Sequence, residues 1–204
     1  MKKLPAYLAL ILLAPHVTIA SINDIKGAFG LTFGKAVPKD IHCNLSTVHT
    51  TSDCYLSPPK PFISFNSYRI SAASLGRIYK IYEISGYKKM QNKYQQCIKE
   101  AEYIAEKIDK KYALNLIKEP VKSILGNTHQ NGTMWRTPNK KHNKSVYIMC
   151  HKVTPGLIDE SKSYYQLYIS YKDSSIYDKA IWEKINNDSK VNLTKIKNSD
   201  DSGL

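Results

Sequence analysis

Arginine is scarce in this 204-residue chain, although the chain is strongly basic. The formal net charge is +13, and of the 30 cationic residues only Arg69, Arg77 and Arg136 are arginine. Proteins that recognise phosphate groups favour the planar, bidentate guanidinium group of arginine. The charge therefore predicts acidic partners in general and argues against specific nucleic-acid binding.

Sequence motifs of catalysis and cofactor binding are also missing. The chain has no His-Glu-x-x-His zinc motif and no Gly-x-Ser-x-Gly nucleophile motif. Gly27, Gly30 and Gly34 lack both the Gly-x-Gly-x-x-Gly spacing and the Lys-Ser/Thr ending of a phosphate loop, so residues 25–36 are predicted to form a first strand with a bulge or turn. The sequence gives no reason to expect a cofactor and favours a protein that is not an enzyme.

Long hydrophobic runs are limited to the first twenty residues. A basic start is followed by an apolar run over residues 4–14, and Thr18-Ile19-Ala20 places small residues where signal peptidase cleaves, before Ser21. The run is shorter than the roughly 20 residues that a membrane-spanning helix needs. We therefore expect residues 1–20 to be a signal peptide and the product to be periplasmic or secreted, without a transmembrane segment. Loss of the two lysines of the signal peptide lowers the formal net charge from +13 to +11.

Only four cysteines are present, and all of them follow the expected cleavage site. An even number of cysteines in an exported chain is typical of disulfides. Cys43 and Cys54 flank a polar segment, whereas Cys97 and Cys150 each fall on an apolar face of a predicted element. We therefore expect the pairs Cys43–Cys54 and Cys97–Cys150.

Hydrophobic periodicity predicts an α+β fold built on a mostly antiparallel sheet. Alternating apolar residues predict one hairpin over residues 65–73 and 77–85, and a second over residues 145–153 and 164–173. Apolar residues at steps of three and four predict a long helix over residues 89–112. The two helices, this one and a short one after the second hairpin, are expected to pack on one face of the sheet.

The remaining segments complete the predicted domain organisation. The short helix is predicted to run from Ile176 to about Asn187, with Ala180 and Ile185 facing inward. Residues 113–144 are rich in glycine, asparagine and lysine and are predicted to be mostly loop. We therefore expect one disulfide-stabilised domain over residues 21–187 and a polar flexible tail over residues 188–204.

Several short motifs are spread over most of the chain after the expected cleavage site. They are Phe29-Gly30 with Gly34, Pro58-Pro59-Lys60-Pro61-Phe62, Gly76-Arg77-Ile78-Tyr79-Lys80-Ile81, the helix ending Lys110-Lys111-Tyr112, and Leu167-Tyr168-Ile169-Ser170-Tyr171-Lys172-Asp173. In these motifs the chain resembles a group of small exported bacterial proteins of unknown function. The resemblance implies export and an α+β fold, and it brings no catalytic residues.

The fifteen tyrosines indicate a binding role. Tyr164, Tyr168 and Lys172 fall on the outer face of the last predicted strand, and tyrosine supplies wide amphipathic contact area. We predict a contact surface at these three residues. With the basic charge, it favours a non-enzymatic binding or accessory protein whose partner is a protein or a polyanionic component of the cell envelope.

Two alternatives remain open at this point. The first is a secreted hydrolase or effector whose site is assembled from distant residues, with His151 and Asp173 as candidates, which requires these two side chains to lie close together. The second is a zinc site formed by His42 and His49 with the neighbouring cysteines, which the expected disulfide would exclude.

Overall fold

The structure is a computed structural model that describes residues 21–200, apart from residues 40, 42, 46–49, 92, 126–127, 139–141 and 156–162. The expected signal peptide lies outside these residues. Within the described residues, a short 3-10 helix (Ile22–Asp24) precedes ten strands and two α-helices. The strands are β1 (Gly27–Ala28), β2 (Leu31–Thr32), β3 (Cys43–Leu45), β4 (Thr51–Tyr55), β5 (Ser67–Leu75), β6 (Ile78–Met90), β7 (Ile117–Leu125), β8 (Thr128–Arg136), β9 (Lys144–Pro155) and β10 (Tyr164–Asp173). The helices are α1 (Tyr94–Tyr112) and α2 (Ser174–Asp200).

Eight of the strands form one antiparallel sheet, in the order β3-β4-β5-β6-β10-β9-β8-β7. The predicted α+β class with a mostly antiparallel sheet is confirmed. Both predicted hairpins are present as β5–β6 and β9–β10, and the pairing of β6 with β10 joins them at the centre. A sheet of two hairpins is nevertheless too small, because β3–β4 extends one edge and β7–β8 extends the other.

The β7–β8 hairpin occupies the region that the sequence predicts to be mostly loop. Pro120 lacks a backbone N–H, but it lies on the edge strand β7, where a missing donor is tolerated. Gly132 on β8 pairs with His151, and a Cβ atom at Gly132 would clash with the backbone oxygen of Cys150. The proline and the glycine that indicate loop in the sequence therefore have positions within strands.

Helix α1 packs on one face of the sheet, against β9 and β10. It begins at Tyr94, later than predicted, because the preceding residues up to Met90 continue strand β6. It ends at Tyr112, and the next residue, Ala113, adopts the left-handed conformation (φ 48°) and donates its backbone N–H to the carbonyl of Asp109 at 2.7 Å. The inward stripe contains Cys97, Ala101, Ile104, Ala105 and Ile108, all buried.

Two disulfides are present, and they join the pairs expected from the sequence. Cys97 of α1 is bonded to Cys150 of β9, which ties the helix to the sheet. Cys43 and Cys54 are directly opposite each other on β3 and β4, with their Cα atoms 4.1 Å apart. Both bonds fit a protein of an oxidising compartment.

Helix α2 lies on the opposite face, so the expectation that both helices pack on one face is wrong. Ala180 is buried against β5 and β6, where it packs with Tyr82. Lys172 of β10 lies over the rings of Tyr82 and Tyr177, with its Nζ atom 5.8 and 5.5 Å from their centroids. Side chains alternate along a strand, so Lys172 points away from Ile169, which belongs to the core under α1. Periodicity indicates that a helix has an inward stripe, but not which face of the sheet receives it.

The second helix is also longer than the sequence predicts. It continues beyond Asn187 to Asp200, through most of the segment predicted to be a polar tail, and residues 201–204 lie outside the described part of the chain. Ile185, which was expected to face inward, is 58% exposed. No helix in the described part of the chain combines the length and hydrophobicity that a membrane span requires.

Candidate functional site

The N-terminal hairpin β1–β2 is docked on the α1 face of the sheet by one aromatic residue. Phe29 and Gly30 form its two-residue turn, both with positive φ (54° and 83°), the conformation that tight hairpin turns require. The ring of Phe29 makes edge-to-face contacts with Phe65, Tyr68 and Tyr171 at centroid distances of 6.1, 5.0 and 6.0 Å. The hairpin is therefore fixed against the sheet near α1.

A cleft of about 590 Å³ lies between this hairpin and the C-terminal half of α1. Its lining includes Phe65, Ile104, Ile108 and Ile169, all of them core residues of the α1 face. Ligand pockets in proteins commonly have volumes of roughly 300–1,000 Å³ and mostly apolar linings. The cleft has the size and the apolar surface of a small-molecule site.

Lysines supply most of the charge around the cleft. Lys26, Lys60, Lys107 and Lys111 line it, together with the carboxylate of Asp24. None of these lysines forms a salt bridge with a carboxylate in the part of the chain that the structure describes. The local charge is therefore positive, as is that of the whole chain.

Two tyrosines add hydroxyl groups to this lining. Tyr171 of β10 and Tyr112 of α1 both line the cleft. Burial, and secondarily the neighbouring Tyr112, raise the pKa of Tyr171 above its ordinary value. Tyrosine is protonated in neutral solution even at its ordinary pKa, so the phenol of Tyr171 is a hydrogen-bond donor.

The opposite face of the sheet carries a polar cluster centred on Glu83. One carboxylate oxygen, Oε1, accepts hydrogen bonds from Tyr168 (3.0 Å), Ser170 (2.9 Å) and Ser85 (3.2 Å). The guanidinium of Arg69 lies 3.7 Å from the same oxygen. Burial, followed by the nearby Glu83, raises the pKa of Tyr168, which keeps its hydroxyl protonated and able to donate. The cluster satisfies its polar groups internally.

The three residues of the predicted contact surface lie on this second face. All three, Tyr164, Tyr168 and Lys172, are half-buried, and they share one face of β10 because they are four residues apart. The Nζ atom of Lys89 lies 4.2 Å from the ring centroid of Tyr164, Tyr168 donates to Glu83, and Lys172 covers two tyrosine rings. Each side chain therefore has contacts within the chain, and their role in binding a partner stays a prediction.

His151 and Asp173 lie far apart, so the hypothesis of a catalytic site around this pair is wrong. His151 is opposite Gln166 in the β9–β10 pairing, whereas Asp173 is opposite Lys144 at the other end. Gln166 and Asp173 are seven residues apart along β10, which corresponds to about 23 Å at the usual rise of a strand.

The hypothetical zinc site lacks its cysteine ligands. Cys43 and Cys54 are joined in a disulfide, so neither is available as a thiolate ligand, and His42 and His49 lie outside the described residues. Among the residues that the structure describes, no group of three or more histidine, cysteine, aspartate or glutamate side chains is arranged to hold a metal ion.

Comparisons with protein families, with curated proteins and with solved structures found no match to this chain.

Sequence reasoning did not find this cleft, although parts of its signal are visible in the sequence. Lys107 and Lys111 fall on the polar side of α1 and are indistinguishable by periodicity from solvated lysines. The other wall comes from residues about 80 positions earlier, at Lys26 and Phe29. The most informative sequence signal is the Phe29-Gly30 pair, because the apolar ring of an aromatic residue in a turn is favourably buried against another part of the fold.

Proposed function

We propose that this chain is an exported binding protein, without catalytic activity of its own, that holds a small ligand with an apolar body in the cleft between α1 and the β1–β2 hairpin. The observation that carries the proposal is the cleft itself, about 590 Å³ in volume and floored by core side chains. Phe62, which is 38% exposed, and the half-buried Leu31 also line the cleft, so part of its apolar lining is in contact with water, and a bound ligand would remove that surface from water.

The walls of the cleft support a preformed site. Helix α1 is tied to the sheet through Cys97 and Cys150, and the hairpin is anchored through Phe29. The backbone N–H of Lys60 also donates to the carbonyl of Phe29 at 3.0 Å, which connects the hairpin to the segment before β5. A site with fixed walls loses little conformational entropy when a ligand binds.

Export is part of the proposal and is supported by the two disulfides, which persist in oxidising compartments. The periplasm and the extracellular space both fit this chemistry. Turnover of any substrate by the purified protein would contradict the non-enzymatic part of the proposal.

The cleft is tested with Nile red, a neutral dye whose emission rises in apolar surroundings. We expect enhanced emission with the wild-type protein and its loss in Thr32→Trp, because Thr32 is exposed on β2 and lines the cleft, so an indole there would fill it. Asn44→Trp is the matched control, since Asn44 is exposed on the short strand β3, outside the cleft lining. Emission that is equal in both variants, or absent with the wild type, would refute the cleft as a binding site.

A further inference from the structure

We infer that the ligand of the cleft is an anionic amphiphile, with its apolar body on the floor of the cleft and a carboxylate or phosphate head group among the lysines. This inference rests on the function proposed above, and it adds the chemical class of the ligand. It is carried by the distribution of charge around the cleft.

Within the described residues, Asp24 is the only carboxylate that lines the cleft, and it already accepts a hydrogen bond from within the chain. Asp24 accepts a hydrogen bond from the backbone N–H of Ser21, and this bond, more than the charges of Lys144 and Lys26, lowers the pKa of Asp24. Asp24, like an ordinary aspartate, is ionised at neutral pH and offsets part of the charge of Lys26. Lys60, Lys107 and Lys111 form no salt bridge among the described residues, so they leave the cleft with a net positive charge.

Two of these lysines are held close together by the helix. Lys107 and Lys111 are four residues apart on α1 and both line the cleft, and like charges at this spacing repel each other. Their ammonium groups lie near aromatic rings, Lys107 over Tyr103 at 5.4 Å and Lys111 over Tyr112 at 4.8 Å. An anion between the two ammonium groups would replace their repulsion with two charge-assisted hydrogen bonds.

The apolar lining of the cleft makes a purely polar anion an unfavourable ligand. Leu31 and the 38% exposed Phe62 line the cleft above the core residue Ile108, and a small inorganic ion would leave their apolar surface in contact with water. An amphiphile covers this surface with its apolar part and presents its charge to Lys60, Lys107 and Lys111. Tyr171 also lines the cleft, and its phenol is a further hydrogen-bond donor there.

The test is displacement of Nile red by four compounds that share a twelve-carbon chain: dodecyl phosphate, dodecanoate, dodecanol and dodecyltrimethylammonium. The ionic compounds are kept below their micelle concentrations and dodecanol below its solubility limit. The two anions are expected to displace the dye at concentrations at least about 10-fold lower than the alcohol, and the cation is expected to be weakest. Comparison of the two anions distinguishes a phosphate head group from a carboxylate. Raising the NaCl concentration to about 1 M should weaken the anions but not the alcohol, because salt screens the lysines.

Lysine variants identify the groups that carry the preference. Lys107→Ala/Lys111→Ala should weaken the anions by about 10-fold to 100-fold and leave dodecanol unchanged. Lys99→Ala/Lys110→Ala is the matched control, because it removes two exposed lysines from the same helix at positions that do not line the cleft. This control should bind the anions as the wild type does.

The outcomes separate this inference from the function that it rests on. If Nile red binds in a manner sensitive to Thr32→Trp but the anions and the alcohol compete equally, the cleft binds ligands and the inferred class is wrong. Equal weakening by both lysine pairs would likewise refute a specific role for Lys107 and Lys111. If Nile red does not bind the cleft at all, the proposed function itself fails.

Discussion

The face of the sheet under α1 and the face under α2 are covered in different ways. On the α1 face, apolar residues such as Ile148 and Leu167 are fully buried by a helix that a disulfide fixes in place. On the α2 face, Ser85 and Ser170 are buried beside Glu83, and both donate hydrogen bonds to its carboxylate. The apolar residues of the α1 face depend on the helix to keep them out of water. The polar residues around Glu83 on the α2 face instead satisfy one another by hydrogen bonds.

This difference explains why the cleft opens on the α1 face. Helix α1 and the β1–β2 hairpin together cover the apolar surface incompletely, and the space between them ends on core side chains. An equivalent opening onto the Glu83 cluster would expose groups that water solvates readily. The two faces should therefore differ in how much stability they lose when their contacts are removed.

The largest expected effect comes from releasing α1. Cys97→Ala/Cys150→Ala removes a bridge between residues 53 positions apart and should lower the free energy of unfolding by about 4 kcal/mol. Cys43→Ala/Cys54→Ala opens a bridge across 11 positions and should cost about 3 kcal/mol. Urea unfolding of the oxidised proteins measures both values. A larger loss for the second pair would contradict the view that the α1 face depends more on its covalent anchor.

Neighbouring residues on β10 give a matched test of the two faces. Leu167→Ala removes a fully buried side chain from the α1 face and should cost about 2–5 kcal/mol. Ser170→Ala removes one of three hydroxyl donors to Glu83 on the other face and should cost about 1 kcal/mol. The same urea assay applies, and equal losses for the two variants would show that the faces are not stabilised differently.

Only some of the contacts that these variants remove can be predicted from the sequence. Leu167 and Ser170 alternate within a strand that the sequence predicts over residues 164–173, and the structure has the same bounds. Alternation is a local property, so it is readable without knowledge of the fold. The two disulfide pairs were expected from similarly local patterns, namely a polar loop and two apolar faces.

Other parts of the fold depend on contacts that no local pattern encodes. Residues 86–90 extend β6 because β10 pairs with them as far as Met90, although Met90 also fits the spacing of the following helix. The cleft requires the hairpin at Phe29 to lie against Tyr171, about 140 residues later in the chain. Such juxtapositions follow from the sheet order and cannot be read from periodicity.

The smallest expected effect concerns His151, which is only 2% exposed and has no hydrogen-bond partner for either ring nitrogen among the described residues. Burial lowers the pKa of His151, although the nearby Gln166 side chain opposes the shift. Below about pH 6.5 the unfolded chain binds a proton at this histidine that the folded chain does not bind. The free energy of unfolding should therefore fall as the pH is lowered from 7.5 to 5.5.

Two histidine variants isolate this contribution in urea unfolding across that pH range. His151→Leu should show a weaker decline than the wild type, because the titrating group is gone. His142→Leu, at an exposed position, should keep the wild-type decline. An unchanged slope in His151→Leu would mean that His151 is not held neutral by burial.

The central claim is that the cleft on the α1 face binds an anionic amphiphile while the Glu83 face does not. Backbone amide NMR of the isotope-labelled protein, titrated with dodecyl phosphate, tests it most directly. We predict that the shifted amides concentrate at residues 26–32, 60–65 and 104–112, with those around Glu83 and Tyr168 unchanged. Shifts centred on the Glu83 cluster, or no saturable shifts at all, would contradict the account.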